Sequence, residues 1–146
     1  MRKVIWFDMD GTIADLYGVD NWLDKLRAAD ESPYMSAPVM LNMNTLARYL
    51  NRARKLGYQI GIISWLSKVS STEYDMKVTA AKKKWLSNHL HSVAWDFIHI
   101  VPYGTPKSTF IVTKEDILFD DEKPNRDNWN GVAYQPSQIM SVLQAL

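Results

Sequence analysis

The chain has 146 residues, 47% of them apolar and 23% charged, with no cysteine and a formal net charge of +1. These values indicate one globular domain with a substantial core, and they exclude disulfides, thiolate metal sites and a cysteine nucleophile. They give no general drive toward nucleic acid or an anionic membrane, although a local site can still bind a mononucleotide.

Arg2 and Lys3 precede an apolar run of only four residues, so no secretory leader is read. No stretch approaches the roughly 18 apolar residues of a membrane span. A cytoplasmic protein is expected, with residues 1–146 as a single domain free of repeats and linkers.

Residues 3 to 14 carry the densest chemical signal. Val4, Ile5, Trp6 and Phe7 form a run too short for a helix, which suits a strand buried on both faces. It ends in Asp8 and Asp10, whose i, i+2 spacing puts both carboxylates on one face of the strand tip. Like charges that close repel unless a cation neutralises them or one takes a proton. Gly11 permits a sharp turn, and Thr12 adds a hydroxyl and an N–H. An ordinary Asp-Gly turn with solvated acids is the competing reading.

Residues 15–38 are irregular in pattern. Gly18 interrupts any helix from Asp15, and Asp20 is a cap for a short one carrying Leu23 and Leu26. Residues 30–38 read as a loop with two prolines. With Tyr17, Trp22, Tyr34 and Met35, the segment is either a small flap over the Asp pair or packing for the first helix.

Met43, Leu46, Ala47, Leu50 and Ala53 recur at helical spacing, with Gly57 as the stop. Tyr58 to Ile63 reads as a second buried strand ending at Ser64, whose hydroxyl is either a turn residue or a phosphate ligand. Trp65, at the same rim, is a substrate contact or a core residue. Ser70-x-x-Glu73 resembles a capping box and opens a helix with Tyr74, Val78, Ala81 and Trp85 on one face. Lys82, Lys83 and Lys84 within it read mostly as a solvated face.

Phe97 to Val101 is a third strand, and His99 within it is read as packed or hydrogen-bonded. The loop Pro102 to Lys107 follows. Asp116 to Phe119 is a fourth strand, running into Asp120 and Asp121. Two apolar strands ending in paired acids are hard to explain by packing, because unpaired buried carboxylates are costly. Together they supply what a hard divalent cation requires, oxygen ligands converging from separate elements. A polar loop over 122–129, a short fifth strand over 131–134 and a last helix after Pro136, with Ile139, Leu143 and Leu146 inward, complete the chain.

Asp8-Met-Asp10-Gly-Thr12, Ser64 after an apolar strand, Lys107, and Asp120-Asp121 after another strand stand in an order that resembles the haloacid dehalogenase (HAD) superfamily of phosphohydrolases. Within it the chain is similar to small, phage-type 5′(3′)-deoxyribonucleotidase-like proteins, through Ile-Ile-Ser-Trp, Ile-Leu-Phe-Asp-Asp and Tyr-Gly-Thr-Pro-Lys. The resemblance implies a HAD-like Rossmannoid α/β/α fold with a five-stranded parallel sheet of order 5-4-1-2-3 and a minimal cap or none. That order puts the tips bearing Asp8, Asp10 and Asp120 side by side.

The resemblance also implies roles. Asp8 is expected as nucleophile, and Asp10 as general acid and base, with its backbone carbonyl on the metal. Thr12 and Ser64 are expected to hold the phosphoryl group and Lys107 to neutralise it; Lys82, Lys83, Lys84 and Lys114 compete for that last role. Mg2+ is expected on Asp8, Asp10 and Asp120, with Asp121 behind them or bound through water. The implied reaction is Mg2+-dependent hydrolysis of a phosphomonoester, foremost a nucleoside monophosphate. A sugar phosphate, a polynucleotide 3′-phosphate end and a non-catalytic phosphate-binding module are the alternatives.

Overall fold

A computed structural model describes all of residues 1–146. Five strands, β1 (Val4–Phe7), β2 (Gln59–Trp65), β3 (Phe97–Val101), β4 (Ile117–Phe119) and β5 (Val132–Tyr134), form one sheet. Every pairing is parallel and the spatial order is 3-2-1-4-5, the expected order read from the other edge. All four residues of β1 are buried, as its central place and unbroken apolar run require.

Alternation along β1 splits the core. Ile5 and Phe7 join Ile60, Ile62 and Phe119 beneath α3 (Met43–Lys55), the end of α4 (Thr72–His89) and α6 (Ile139–Gln144). Val4 and Trp6 face the other way, where Ile63, Leu118 and Trp129 form a smaller cluster under Phe110, Ile111 and Val112. No long helix covers this second face. The β3–β4 connection contributes only a 3-10 turn, Lys107–Phe110, and an extended segment, so the third layer is thin. His99 is part of that cover, its ring stacked 4.4 Å from that of Phe110, and burial lowers its pKa. Gly61 leaves room for Trp6; a Cβ there would overlap the indole.

Asp116 is fully buried at the start of β4. Its carboxylate accepts from Val4 N (2.9 Å), Trp6 Nε1 (3.0 Å), Val112 N (2.8 Å) and Thr113 Oγ1 (2.9 Å). These donors satisfy the charge without a counter-ion.

Four local expectations are corrected. The short helix α1 (Trp22–Arg27) is capped by Asn21 in the left-handed region (φ 59°), not by Asp20. The stretch 30–38 is not all loop: α2 (Ser32–Ser36) lies within it, with Pro33 in the first turn and Tyr34 buried against α4. The cap of α4 is Ser71, whose side chain accepts from Tyr74 N, while Ser70 Oγ donates to Asp75. A further short helix, α5 (Lys123–Asp127), occupies the predicted polar loop.

Candidate active site

The tips of β1 and β4 are latched together where the acids emerge. Asp8 N donates to Phe119 O (3.0 Å), and Asp120 N donates to Tyr134 O (3.2 Å) on the next strand. Parallel pairing puts both tips at the carboxyl edge of the sheet, where open α/β sheets bind ligands.

Lys107 joins them. Its ammonium group, 5% exposed as a residue, donates to Asp8 Oδ1 (2.9 Å) and Asp120 Oδ2 (2.7 Å). Burial alone would lower the Lys107 pKa; the two carboxylates outweigh it and hold the pKa above the usual lysine value. Asp120 also accepts from Glu122 N (2.9 Å) and Asn125 Nδ2 (3.1 Å), and Arg126 Nη1 donates to its backbone carbonyl (3.0 Å). The loop after β4 thus holds Asp120 in place.

Oxygens of Asp8, Asp120 and Asp121 lie within 4.8 Å of one another. Burial and the nearby Asp8 charge push Asp120 up to about 6 and Asp121 up to about 8. This is one of the two escapes from like-charge crowding, uptake of a proton; a cation is the other. The Asp10 side chain stands apart from this trio. Lys82 Nζ binds its Oδ2 at 3.0 Å, and burial, only partly offset by Lys82, raises its pKa.

Thr12 is fully buried beneath Asp8. Its hydroxyl donates to Asp8 Oδ2 (3.0 Å) and accepts from Asp121 N (3.2 Å), and its N–H is taken by Met9 O (3.1 Å). In these contacts it orients two acids, rather than offering the free hydroxyl and N–H expected for a phosphoryl group. Gly11 permits this turn with φ +78°, and a Cβ there would overlap the Asp121 carboxylate.

Lys82, one of the lysines that compete with Lys107 in the sequence, does not take that place: the solvated face expected for most of the run holds for Lys83 and Lys84, but Lys82 is fully buried. It donates to Ser64 Oγ and Trp65 O (both 2.6 Å) as well as to Asp10. The available signal was position: Lys82 falls on the apolar stripe of Tyr74, Val78, Ala81 and Trp85.

The charges joined by these contacts are four carboxylates, Asp8, Asp10, Asp120 and Asp121, and two ammonium groups, Lys82 and Lys107. Fully ionised, they leave two negative charges in excess, the charge a divalent cation carries. All-oxygen donors suit Mg2+ or Ca2+, so the acidic trio fits a hard cation.

A cavity of about 300 Å³ opens over this floor, reached by Asp8, Asp10, Lys107 and Asp121. Its walls include Tyr17 and Trp22 from the 15–38 segment, and Trp65 and Tyr103 from the ends of β2 and β3. Tyr17 meets Trp22 edge-on at 4.9 Å, and Trp65 lies 5.0 Å from Tyr103. Trp65 Nε1 donates to Thr105 O (2.8 Å), and the Lys107 ammonium lies 5.4 Å from its ring. The 15–38 segment therefore contributes to the cavity and also packs on α4 through Leu16, Leu26 and Tyr34.

No protein-family model matches the sequence, and no curated protein matches it. Two solved structures are similar. One is a D,D-heptose 1,7-bisphosphate phosphatase from Burkholderia Thailandensis, with a TM-score of 0.53 and 15% identity over 86% of this chain and 70% of that one. The other is the B. bronchiseptica D,D-heptose 1,7-bisphosphate phosphatase in complex with magnesium and phosphate, with a TM-score of 0.53 and 11% identity over 90% of this chain and 78% of that one. At these identities the likeness establishes the fold alone, an α/β domain built on a five-stranded parallel sheet. No helix is long and apolar enough to cross a membrane.

Proposed function

We propose that this chain is a Mg2+-dependent phosphomonoesterase acting on mononucleotides in the cytosol. The observation that carries the reading is the Lys107 ammonium bonded at once to Asp8 and Asp120, beside Asp121, on the floor of an aromatic-walled cavity. A phosphate ester is an anion, so an attacking carboxylate needs local positive charge. Bound on Asp8, Asp120 and Asp121 with the Asp10 carbonyl, Mg2+ would neutralise phosphoryl oxygens.

In this reading an Asp8 oxygen attacks phosphorus and forms an aspartyl-phosphate as the ester P–O bond breaks. Asp10 gives its proton to the leaving oxygen, then recovers one from the water that releases phosphate. The raised Asp10 pKa supports a proton being there to give. Lys107 stabilises charge on the transferring group, and Thr12 holds Asp8 in line.

The nucleotide is inferred from the walls. Tyr17, Trp22, Trp65 and Tyr103 offer π-faces to a base, and the sugar phosphates of the alternative reading have none. The phosphatases with the similar fold favour that alternative, a sugar phosphate. The net charge of +1 disfavours a strand-tracking enzyme for polynucleotide ends. Phosphate release from mononucleotides and sugar phosphates, with Mg2+ and with EDTA, tests the proposal. Turnover of nucleotides above sugar phosphates, lost in EDTA, is expected; equal turnover removes the nucleotide claim. Tight phosphate binding with no turnover of any ester removes the hydrolase claim.

A further inference from the structure

The chemistry above leaves Lys82 without a task, yet it is a buried cation reaching from α4 to three of the expected site residues. An ammonium group has three N–H donors and no acceptor. Asp10 Oδ2, Ser64 Oγ and Trp65 O take one each, at 3.0, 2.6 and 2.6 Å. The ring of Tyr34, from α2, lies 4.9 Å from the same nitrogen. The group is thus fixed from four sides with no donor to spare.

A donor-only partner dictates what its neighbours do. Ser64 Oγ must accept from Lys82, so its own proton points elsewhere, and no protein acceptor receives it. Asp10 commits Oδ2, and no protein donor reaches Oδ1. The free O–H, on a Ser64 that is fully buried just behind Trp65 of the cavity wall, suits a phosphoryl oxygen, and the free Asp10 oxygen, in the cavity itself, suits a leaving oxygen when it carries a proton.

We propose that Lys82 is a positioning residue that aims the Ser64 hydroxyl and the Asp10 carboxyl group at the phosphate ester. The proposal rests on the phosphomonoesterase reading of the site. Lys107 meets the nucleophile and the metal-binding acids; Lys82 meets the groups on the other side of the reaction. The two cations share no acceptor, so their effects separate.

The test has two arms on the full chain, with circular dichroism confirming the fold. In the first, turnover by Lys82→Met is compared on a nucleoside 5′-phosphate, whose leaving alkoxide needs a proton, and on p-nitrophenyl phosphate, whose leaving phenolate does not. The expected loss is on the order of 10²-fold for the nucleotide and less than about tenfold for p-nitrophenyl phosphate. Equal losses overturn the Asp10 half, because a merely structural lesion does not distinguish leaving groups.

In the second arm, calorimetry measures inorganic phosphate binding in Mg2+ for wild type, Lys82→Met, Ser64→Ala and the double variant. Each single substitution is expected to weaken binding about tenfold, and the double to be no weaker than Ser64→Ala alone. Additive losses overturn the Ser64 half. If Lys82→Met does not fold, Lys82→Gln is expected to show the same pattern with smaller losses. A wild-type protein that binds phosphate but hydrolyses neither ester defeats the hydrolase reading, and the calorimetric cycle still decides the role of Lys82 toward Ser64. A wild-type protein that binds no phosphate defeats both.

Discussion

Asp8→Asn separates what the carboxylate does for chemistry from what it does to the fold. The amide is the same size. Its oxygen can keep the Lys107 bond, and its NH2 can turn to Thr12 Oγ1, whose proton then has Asp121 Oδ1 at 3.5 Å. The substitution therefore removes charge and little else. Asp8 loses two repulsions, with Asp120 and Asp121, and one attraction, with Lys107. The acid oxygens lie within 4.8 Å of one another, so each repulsion is worth about 3.5 kcal/mol at an effective dielectric constant of about 20, and the Lys107 attraction at 2.9 Å about 5.7 kcal/mol. The net is a relief of at least about 1 kcal/mol. The wild type already escapes part of the repulsion by binding a proton on Asp121, whose pKa is pushed up to about 8.

In EDTA at about pH 9, where that proton is gone, Asp8→Asn should be more stable than wild type by about 1–3 kcal/mol. For a chain of this size that is a rise of about 3–9 °C in Tm. At about pH 5 the gain should turn into a loss, because Asp120 and Asp121 are then both protonated in the wild type and the substitution removes only the Lys107 attraction. Saturating Mg2+ should reverse the order, because the cation stabilises the wild type by binding and the variant has lost one ligand. Turnover should be abolished throughout. Thermal unfolding and phosphate release on the same samples measure all of this. A variant less stable than wild type in EDTA at the higher pH would refute the repulsion argument, and wild-type-like turnover would remove Asp8 as nucleophile.

Three further outcomes follow from the same contacts. Burial and Asp8 hold Asp120 and Asp121 at about 6 and about 8, above the carboxylate value of 3.8, so the folded state keeps protons that the unfolded chain has released. Metal-free stability should therefore fall as pH rises from about 4 to about 8, and Mg2+ should abolish the fall; denaturant midpoints in EDTA that rise over that window contradict it. Lys107→Met leaves Asp8 and Asp120 facing each other without their cation, and should cost about 3–5 kcal/mol in EDTA by urea denaturation, with turnover lost and part of the stability restored by Mg2+. Gly11→Ala places a Cβ against Asp121 at a φ of +78°, and should cost about 1–2 kcal/mol and weaken Mg2+ binding, read by titration of the thermal shift.

Much of the molecule was legible in the chain because its signals are local. The run Val4–Phe7 and the α3 stripe from Met43 to Ala53 declare themselves by periodicity, and the Asp pairs by position at strand ends. What stayed hidden depends on partners far along the chain. Lys82 sits in a run of three lysines and is buried only because Asp10, 72 residues away, and Ser64 receive it. Helix α2 is five residues long, too short to hold itself, and depends on Tyr34 packing against α4. Thr12 could be assigned to the Asp tip from spacing alone, but not its direction, because Asp121 N arrives from 109 residues away.

Asp116 lies at the opposite end of the sheet from the chemistry, yet it governs the spacing there. A slip of one residue between β4 and β1 would carry Asp120 about 3.3 Å along the strand and turn its side chain to the other face, breaking its bond to Lys107. Such a slip must first tear Val4 and Trp6 from the Asp116 carboxylate. The far rim is thus the anchor that keeps the acids of two strands within reach of a common ion, and a lesion at Asp116 should be read as a misalignment of the acidic rim as well as a loss of stability.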